Sequence, residues 1–180
     1  GALSFNGNKI VTTGGGGAIL TNDDSLARFA KHLSTTARVA HEWSFLHDAI
    51  GYNYRMPNVN AAIGVAQLEQ LEGFVERKRA LAEAYRRAFD SLRGASFFSE
   101  PPLSRSNYWL NSILVDHDAI SERDALLEVL NGEGLMARPT WTLMHRLPMY
   151  RHCPRMDVSM AESIERRLVN LPSSARLGHP

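Results

Sequence analysis

A single lysine near the start of the chain lies among residue types that often take part in chemistry. Lys9 follows SFNGN and precedes IVTTGGGG, so that Thr12, Thr13 and glycines 14–17 come shortly after it. A phosphate-binding P-loop needs its glycines before the lysine and a hydroxyl group directly after it. A dinucleotide-binding loop needs a helix after its glycines, whereas the residues after Gly17 favour a strand. Both nucleotide-binding interpretations of the segment therefore fail.

Two interpretations of Lys9 remain open on the residues alone. In the first, it is a solvated surface charge beside a glycine turn. In the second, its amine forms a Schiff base with a carbonyl compound, which requires surroundings that favour the neutral, nucleophilic amine. The glycines favour the second interpretation, because their flexibility costs conformational entropy and is useful where the backbone closely approaches a ligand or another subunit.

Two segments of the chain resemble the signature of a known enzyme family. The lysine segment is similar to the pattern S-F-x-x-x-K-x-x-T-T-G-x-G-G, and Gly51–Met56 (GYNYRM), with the later NAAIG and QL, is similar to G-x-N-x-R-M…A-A-x-G…Q-L. Both patterns are those of the DegT/DnrJ/EryC1/StrS family, the sugar aminotransferases of fold type I. The resemblance extends to about Ala175 and implies pyridoxal 5′-phosphate (PLP) as the cofactor.

The resemblance implies roles for three residues in the first part of the chain. Lys9 stands where the family's lysine forms a Schiff base with PLP and moves the proton between substrate and cofactor. Some members carry histidine there and are dehydratases, so lysine favours transamination. Asn53 would contact the PLP phosphate of the neighbouring subunit in a homodimer. Arg55 would contact a sugar-nucleotide diphosphate or the donor carboxylate. On the residues alone, Asn53 is a turn residue. The alternative for Arg55 is a solvated charge at a helix start, where a cation is mildly unfavourable against the helix dipole, and this conflict slightly favours a functional role.

A finer resemblance is to the branch that aminates UDP-linked 4-keto sugars for legionaminic acid or bacillosamine. It rests on residues 32–62 and on the segments SNYWLNSILVD and MHRLPMY. It implies amino transfer from glutamate to a nucleotide-linked 4-keto-6-deoxy sugar, for the biosynthesis of surface-glycan amino sugars. Tyr108 and His145 are then candidate substrate contacts. Without the resemblance, Tyr108 is a core or edge aromatic residue and His145 an exposed loop histidine.

The composition excludes several other functions. The chain has 180 residues, and its 20 Lys and Arg against 19 Asp and Glu give a net charge of +1. This balance offers no electrostatic basis for binding nucleic acid or an anionic membrane. The single Cys153 excludes an internal disulfide framework. The sequence has no membrane-length apolar run and no signal-peptide pattern, and it therefore predicts a cytoplasmic protein. The histidines lack ligand spacing, so we expect no metal site.

The elements predicted around Lys9 are short. Ile10–Val11 and Ala18–Thr21 are β-prone runs, which we interpret as two strands joined by a flexible turn. A helix capped by Asn22 or Asp23 follows. Its apolar face has helical spacing and consists of Leu26, Phe29, Ala30 and Leu33.

A long loop and a long helical pattern come next. Residues 35–57 show little periodicity and many aromatic groups, and loops of this length inside a compact domain are usually functional. A helical pattern over residues 58–92 is predicted to break near Gly73. We place the domain junction there, with residues 1–72 before it and residues 73–180 after it.

The second part of the chain predicts an alternating, βαβα-like series. Two capping boxes are expected to open helices, the second of which runs through Val169 to a stop at Pro172. The predicted strands are Ser96–Phe98, Tyr108–Asp116 and Leu135–Arg138. The predicted capping boxes are Ser121 with Asp124 and Ser159 with Glu162. The expected fold class is α/β.

Together with the resemblance, these elements imply the carboxy-terminal part of a fold-type I PLP transferase. Residues 1–72 would be the end of the large PLP-binding domain, and residues 73–180 the small α/β domain. The family's earlier half carries the acidic partner of the pyridine nitrogen and most phosphate contacts, so this chain by itself is expected to hold PLP poorly. The alternatives are an inactive fragment or interaction module of the same fold, and another PLP reaction such as dehydration.

Overall fold

The computed structural model of the protein describes residues 1–117 and 119–178. The chain divides into two compact units, Gly1–Glu72 and Gly73–Pro180. The second predicted domain includes Asp118, His179 and Pro180, which lie outside the described residues. Each unit has its own sheet, and the expected combination of helices and strands is confirmed.

The first unit opens with a two-stranded antiparallel sheet. Strands β1 (Ala2–Ser4) and β2 (Gly17–Ile19) pair with Leu3 opposite Ala18. The predicted strand at Ile10–Val11 is wrong, because these residues form bends inside the loop that joins β1 to β2. Pairing selected the residues at the chain start instead, a long-range choice that a short β-prone run does not reveal.

Helix α1 (Asp24–Ser34) follows the sheet. The predicted cap is confirmed, since the Asp23 carboxylate accepts hydrogen bonds from the amides of Ser25 at 2.8 Å and Leu26 at 3.0 Å. The amphipathic pattern is also present, but no described residue of α1 is buried, and Phe29 is exposed. The helix therefore forms from local signals and keeps its apolar side chains accessible.

The long helical pattern is two helices, α2 (Asn58–Leu68) and α3 (Leu71–Phe89). The predicted break at Gly73 is wrong, because the interruption lies at Glu69–Gln70 and Gly73 belongs to the first turn of α3. A Cβ atom at Gly73 would meet nothing within 4 Å, so no close contact requires a glycine at this position.

Within the described residues, the second unit contains a four-stranded antiparallel sheet. Its strands are β3 (Ala95–Phe97), β4 (Asn111–Val115), β5 (Arg138–Pro139) and β6 (Leu168–Leu171), in the order β3-β4-β6-β5. The prediction missed β6, because it extended a helix through Val169. In the structure Val169 pairs with Ile113 of β4 and with Pro139 of β5.

The other predicted strands are displaced along the chain. The strand predicted from Tyr108 begins at Asn111, and the one predicted to stop before Pro139 contains that residue. Proline is tolerated there because β5 is an edge strand.

Two further helices belong to the second unit, α4 (Arg123–Gly132) and α5 (Ser159–Arg167). Neither predicted capping box forms: no side chain caps α4, and Asp124 pairs with Arg123 instead. At α5 the Ser159 amide donates to Asp157 at 3.0 Å. Short 3-10 turns occupy the connections at Ile120–Glu122, Met144–Arg146, Pro148–Tyr150 and Ala175–Leu177.

The main core lies on one face of the second unit's sheet. Ile113 and Val169, at 1% and 0% exposure, are its centre. Helices α3 and α4 supply partly buried side chains against it, including Tyr85, Phe89 and Leu127. In residues 1–117 and 119–178, no helix has the length and apolar character needed to cross a bilayer.

Candidate functional site

Lys9 lies in the loop between β1 and β2, directly after a tight turn. Its amide donates to the Asn6 carbonyl at 3.0 Å and closes that turn, and its side chain is half-buried. Phe5 fixes the base of the loop, because its amide donates to Gly16 at 3.0 Å and its carbonyl accepts from Thr13 at 3.0 Å. The loop is thus an ordered support for the lysine.

Helix α2 fastens the other side of this loop. The Asn60 side-chain amide donates to the carbonyl of buried Thr13 at 2.6 Å, across 47 residues of sequence. A Cβ atom at Gly64 would lie 3.0 Å from the Thr13 methyl group, so the helix and the loop are in close contact. The lysine loop therefore takes its position from α2.

Three of the four consecutive glycines are required by the backbone geometry. Gly14 and Gly16 have φ of 80° and 92°, in the left-handed region that favours glycine. At Gly17 a Cβ atom would lie 2.3 Å from the Leu3 carbonyl oxygen, a steric overlap with the β1 backbone. Gly15 meets nothing within 4 Å. Gly14, Gly16 and Gly17 thus let the loop backbone turn and close onto β1.

The long loop of residues 35–57 is called the aromatic loop from here on. Asn53 and Arg55 lie in its returning segment, residues 47–55, which comes back to the end of α1. Asn53 pairs with Thr35 at the end of α1 and is exposed. Arg55 is also exposed and lines an open cavity of about 1110 Å³ in the first unit. Lys31 and Asn60 line the same cavity, whereas Lys9 and Asn53 are not among its described lining residues.

Two cationic residues, Lys31 and Arg55, line this cavity together with residues that carry amide and hydroxyl groups. Such a set suits an anionic group of a ligand. The sequence interpretation gave no role to Lys31. The available signal was its place in the last turn of α1, where a cation is favourable to the helix dipole whether or not it binds a ligand.

Tyr108 lies in the second unit, in the loop before β4. Its φ of 44° is left-handed, and its hydroxyl oxygen accepts a hydrogen bond from the Glu100 amide at 3.2 Å. The Arg79 guanidinium lies 5.5 Å from its ring centroid and forms a bidentate ion pair with Glu100 at 2.7 and 2.9 Å. That ion pair, with the Ser106 amide, lowers the pKa of Glu100 to about 2.

His145 also lies in the second unit, in the 3-10 turn Met144–Arg146. Its Nε2 atom lies 2.9 Å from a Glu162 carboxylate oxygen of α5, and its side chain is 14% exposed. Arg146 pairs with Glu165 on the same helix at 2.9 Å. The turn is thus held against α5 by two side chains, a contact that sequence spacing did not indicate.

The five predicted site residues fall in both units. Lys9, Asn53 and Arg55 belong to the first, and Tyr108 and His145 to the second. In the part of the chain that the structure describes, no group of three His, Cys, Asp or Glu side chains is placed to hold a metal ion.

The sequence and the structure were compared with known proteins. The sequence model of the DegT/DnrJ/EryC1/StrS aminotransferase family matches residues 1–179. GDP-perosamine synthase of Escherichia coli O157:H7 is 38% identical over 177 residues, which cover 98% of this chain and 47% of that protein. The chain thus spans about half the length of the curated relatives it matches.

Solved structures show the same likeness. The aminotransferase TlmJ of Streptoalloteichus hindustanus matches with a TM-score of 0.90 and 28% identity, over 98% of this chain and 47% of that one. DesI, solved in the presence of its TDP-sugar product, matches with a TM-score of 0.86 and 26% identity, over 98% of this chain and 45% of that one.

Proposed function

The chain belongs to the DegT/DnrJ/EryC1/StrS aminotransferase family, and from that premise we propose that it acts in amino transfer to a nucleotide-linked 4-keto-6-deoxy sugar. The enzymes of this family depend on PLP. The observation that carries the proposal is the extent of the family match, because residues 1–179 include both the Lys9 segment and Gly51–Met56. The product would be an amino sugar for surface glycans.

The donor groups of the first unit fit PLP. Lys9 lies in an ordered loop, Asn53 is exposed, and Arg55 and Lys31 are cationic residues that line one cavity. Lys9 would hold the cofactor covalently through Nζ and then accept and return the proton at the substrate carbon. Bound PLP supplies the electron sink for that carbon. Lysine at this position supports transamination over dehydration.

Anion recognition is the part we assign to Asn53 and Arg55. Asn53 would donate to the PLP phosphate of a neighbouring subunit in a homodimer, and its exposure supports a role outside its own unit. Arg55 would bind the substrate diphosphate or the donor carboxylate through its planar guanidinium. Lys31, in the same cavity, would add a second positive charge.

The two units support a division of roles. We assign Gly1–Glu72 to the end of the large PLP-binding domain and Gly73–Pro180 to the small domain of a fold-type I enzyme. Tyr108 and His145 would contribute substrate contacts from the small domain. Since the Tyr108 hydroxyl already accepts a backbone hydrogen bond, its remaining function there is to donate its proton to a substrate oxygen or to pack through its ring.

The first test asks whether Lys9 holds the cofactor. The full-length protein is incubated with PLP, and the visible absorbance of the lysine-bound cofactor is recorded for wild type, Lys9→Ala and Lys31→Ala. We expect the band to be lost in Lys9→Ala alone. Borohydride reduction and peptide mass mapping then distinguish the three lysines of this chain, Lys9, Lys31 and Lys78. A band that survives Lys9→Ala contradicts the proposal.

The second test asks for the reaction and the substrate. The relatives' names include GDP-linked and TDP-linked sugars, whereas the finer sequence resemblance implies a UDP-linked sugar. UDP-, GDP- and TDP-linked 4-keto-6-deoxy sugars are supplied in turn with glutamate, and amino sugar and 2-oxoglutarate are measured. We expect equal amounts of both products, with the largest rate for the UDP sugar. A deoxygenated keto sugar in place of the amino sugar, with the glutamate nitrogen released as ammonia beside 2-oxoglutarate, would indicate the dehydration reaction instead.

A further inference from the structure

Two consecutive residues after α1 have an unusual backbone conformation. Thr36 and Ala37 have φ of 68° and 50°, in the left-handed region. A β-branched residue rarely adopts this conformation, because its Cβ substituents crowd the backbone. Such strain persists where the surrounding contacts determine it, and it is common at functional sites. The contacts at this turn therefore show what the strain positions.

The returning segment of the aromatic loop holds the strained turn from both sides. The Thr36 amide donates to the Tyr52 carbonyl at 3.0 Å, and the Asp48 amide donates to the Ala37 carbonyl at 3.2 Å. The Nδ1 atom of the His47 ring lies 2.7 Å from the Thr36 carbonyl oxygen, which can only accept, so His47 is the donor. His47 is the residue that fixes this carbonyl by a side chain.

Gly51 packs its backbone directly against the same turn. A Cβ atom at this position would lie 2.4 Å from both the Thr36 carbonyl carbon and the Ala37 nitrogen. Real Cβ atoms do not approach backbone atoms so closely, and Ala37 is fully buried at the contact. Gly51 is therefore required by close approach, and any side chain there would separate the returning segment from the turn.

Asn53 follows Gly51 by two residues and takes its place from this packing. The amides of its two neighbours bond to the end of α1, Tyr52 to Leu33 at 2.7 Å and Tyr54 to Ser34 at 2.9 Å. Asn53 itself pairs with Thr35. The backbone of Asn53 is thus registered against α1, while its side chain is exposed.

We propose that His47 and Gly51 are positioning residues that hold the strained Thr36–Ala37 turn and so set the place of Asn53 for binding the cofactor phosphate. The inference rests on the proposed function in one respect, the role of Asn53 as a phosphate contact. His47 and Gly51 act through the backbone of residues 51–54 and do not touch the cofactor. Their loss moves the Asn53 amide away from the phosphate and leaves the Lys9 amine in place.

The test measures PLP affinity in the full-length protein by absorbance titration. His47→Ala and Gly51→Ala are each expected to weaken binding about tenfold, the loss expected of one hydrogen bond to a charged group. His47→Asn is expected to restore affinity to within a few-fold of wild type, because its side-chain amide can replace the ring N–H donor. His152→Ala and Gly73→Ala are the matched controls, since both lie outside this turn.

Hydrogen exchange separates positioning from loss of fold. In both variants the peptides that carry the Tyr52 and Tyr54 amides are expected to exchange faster, while those of β4 in the second unit keep their protection. If Gly51→Ala loses protection throughout the chain, the comparison of His47→Ala with His47→Asn decides the inference.

The double variant His47→Ala/Asn53→Ala gives the sharpest outcome. We expect it to bind PLP no more weakly than Asn53→Ala, because both changes remove the same interaction, the contact of the Asn53 amide with the phosphate. Affinity of His47→Ala and Gly51→Ala within twofold of wild type, beside a clear loss in Asn53→Ala, would overturn the inference and leave the proposed function intact. If Asn53→Ala binds PLP as tightly as wild type, Asn53 is not a phosphate contact, and the inference about His47 and Gly51 fails with it. If the visible absorbance band of bound PLP persists in Lys9→Ala, the proposed function itself fails, whatever the result for His47 and Gly51.

Discussion

The two units of the chain are stabilised in different ways. The second unit has a packed core in which Ile113 and Val169 are almost fully buried beneath α3 and α4. In the first unit the buried apolar residues of the described chain are Val11 and Ala37. Many of its large apolar side chains are exposed, including Phe29, Trp43, Phe45, Ile50 and Tyr54. The first unit therefore depends on backbone hydrogen bonds, caps and turns, and the second on burial.

This difference agrees with the roles we propose. The lysine loop and the Asn53 segment are ordered by short hydrogen bonds to neighbouring backbone, which set positions accurately but contribute little free energy each. Burial of apolar surface is the larger stabilising term, and the second unit has most of it. Exposed apolar patches such as those of the first unit are typical of surfaces that contact other protein or a ligand.

The largest effect should come from the core of the second unit. Ile113→Ala is expected to lower the free energy of unfolding by about 2–5 kcal/mol, because it removes buried methyl groups and leaves a cavity. The same change at Ile50, which is 84% exposed in the first unit, should fall within about 0.5 kcal/mol of wild type. Urea unfolding followed by circular dichroism measures both. Equal losses would mean that Ile50 is also packed, and the contrast between the units would fail.

A change to backbone packing should affect the first unit more than a change to its apolar side chains. Gly17→Ala places a Cβ atom 2.3 Å from the Leu3 carbonyl oxygen and should cost about 1–3 kcal/mol by separating β1 from β2. Gly15→Ala is the matched control, since nothing lies within 4 Å of its Cβ position. Hydrogen exchange of the Phe5 and Leu20 amides reports the pairing. Protection retained in Gly17→Ala would contradict this account.

Lys78 tests the polar part of the second unit. Its side chain is 5% exposed, and its ammonium group donates to the carbonyls of Trp109 at 3.2 Å and of Ser173. Burial lowers the pKa of Lys78, so the charge is held at a desolvation cost. Lys78→Met loses both hydrogen bonds but removes that cost, and a net loss of about 1 kcal/mol is expected.

Exposed Lys31 is the matched control for this change, because Lys31→Met should lower the free energy of unfolding by only about 0.3 kcal/mol, from its interaction with the dipole of α1. Trp109 stacks on Trp141 with centroids 6.2 Å apart, so near-ultraviolet circular dichroism detects movement of the Trp109 carbonyl. A Lys78→Met protein that is as stable as wild type, with an unchanged aromatic spectrum, would show that the ammonium group is dispensable.

Local features of the fold were predictable from sequence, and long-range features were not. The cap at Asp23 depends on residues within one helical turn, and the prediction is confirmed. Strand β6 depends on pairing with β4, more than fifty residues earlier in the chain. No periodicity records that partner, and the helical pattern of α5 continued into it. The βαβα-like order likewise gave no sign that all the pairs are antiparallel.

The candidate site divides in the same way. Resemblance selected Lys9, Asn53 and Arg55, because their motifs are contiguous in sequence. The contacts that order them were not predictable, since Asn60 reaches Thr13 and Gly51 reaches Thr36 through the fold. A glycine within a motif indicates that some backbone approaches it, but the structure is needed to name which one.

The smallest effect concerns one ion pair, between Arg79 and Glu100 in the second unit. The bidentate contact lowers the pKa of Glu100 from 4.5 to about 2. Because the pKa is lower in the folded state, the pair stabilises the protein above pH 4.5 and loses its contribution as the pH falls toward 2. Glu100→Gln should therefore lower stability at neutral pH and approach wild type near pH 2. Glu128→Gln, at an exposed position of α4, is the control and should follow wild type throughout.

Asp48 offers a comparison in the first unit. Its pKa is lowered by His32, and the stability of Asp48→Asn should depend on pH less steeply, since this pair is more exposed. Unfolding curves recorded between pH 2 and 7 for the three proteins and for Asp48→Asn measure this. A Glu100→Gln protein with the acid sensitivity of wild type would mean that the Arg79–Glu100 ion pair does not stabilise the second unit.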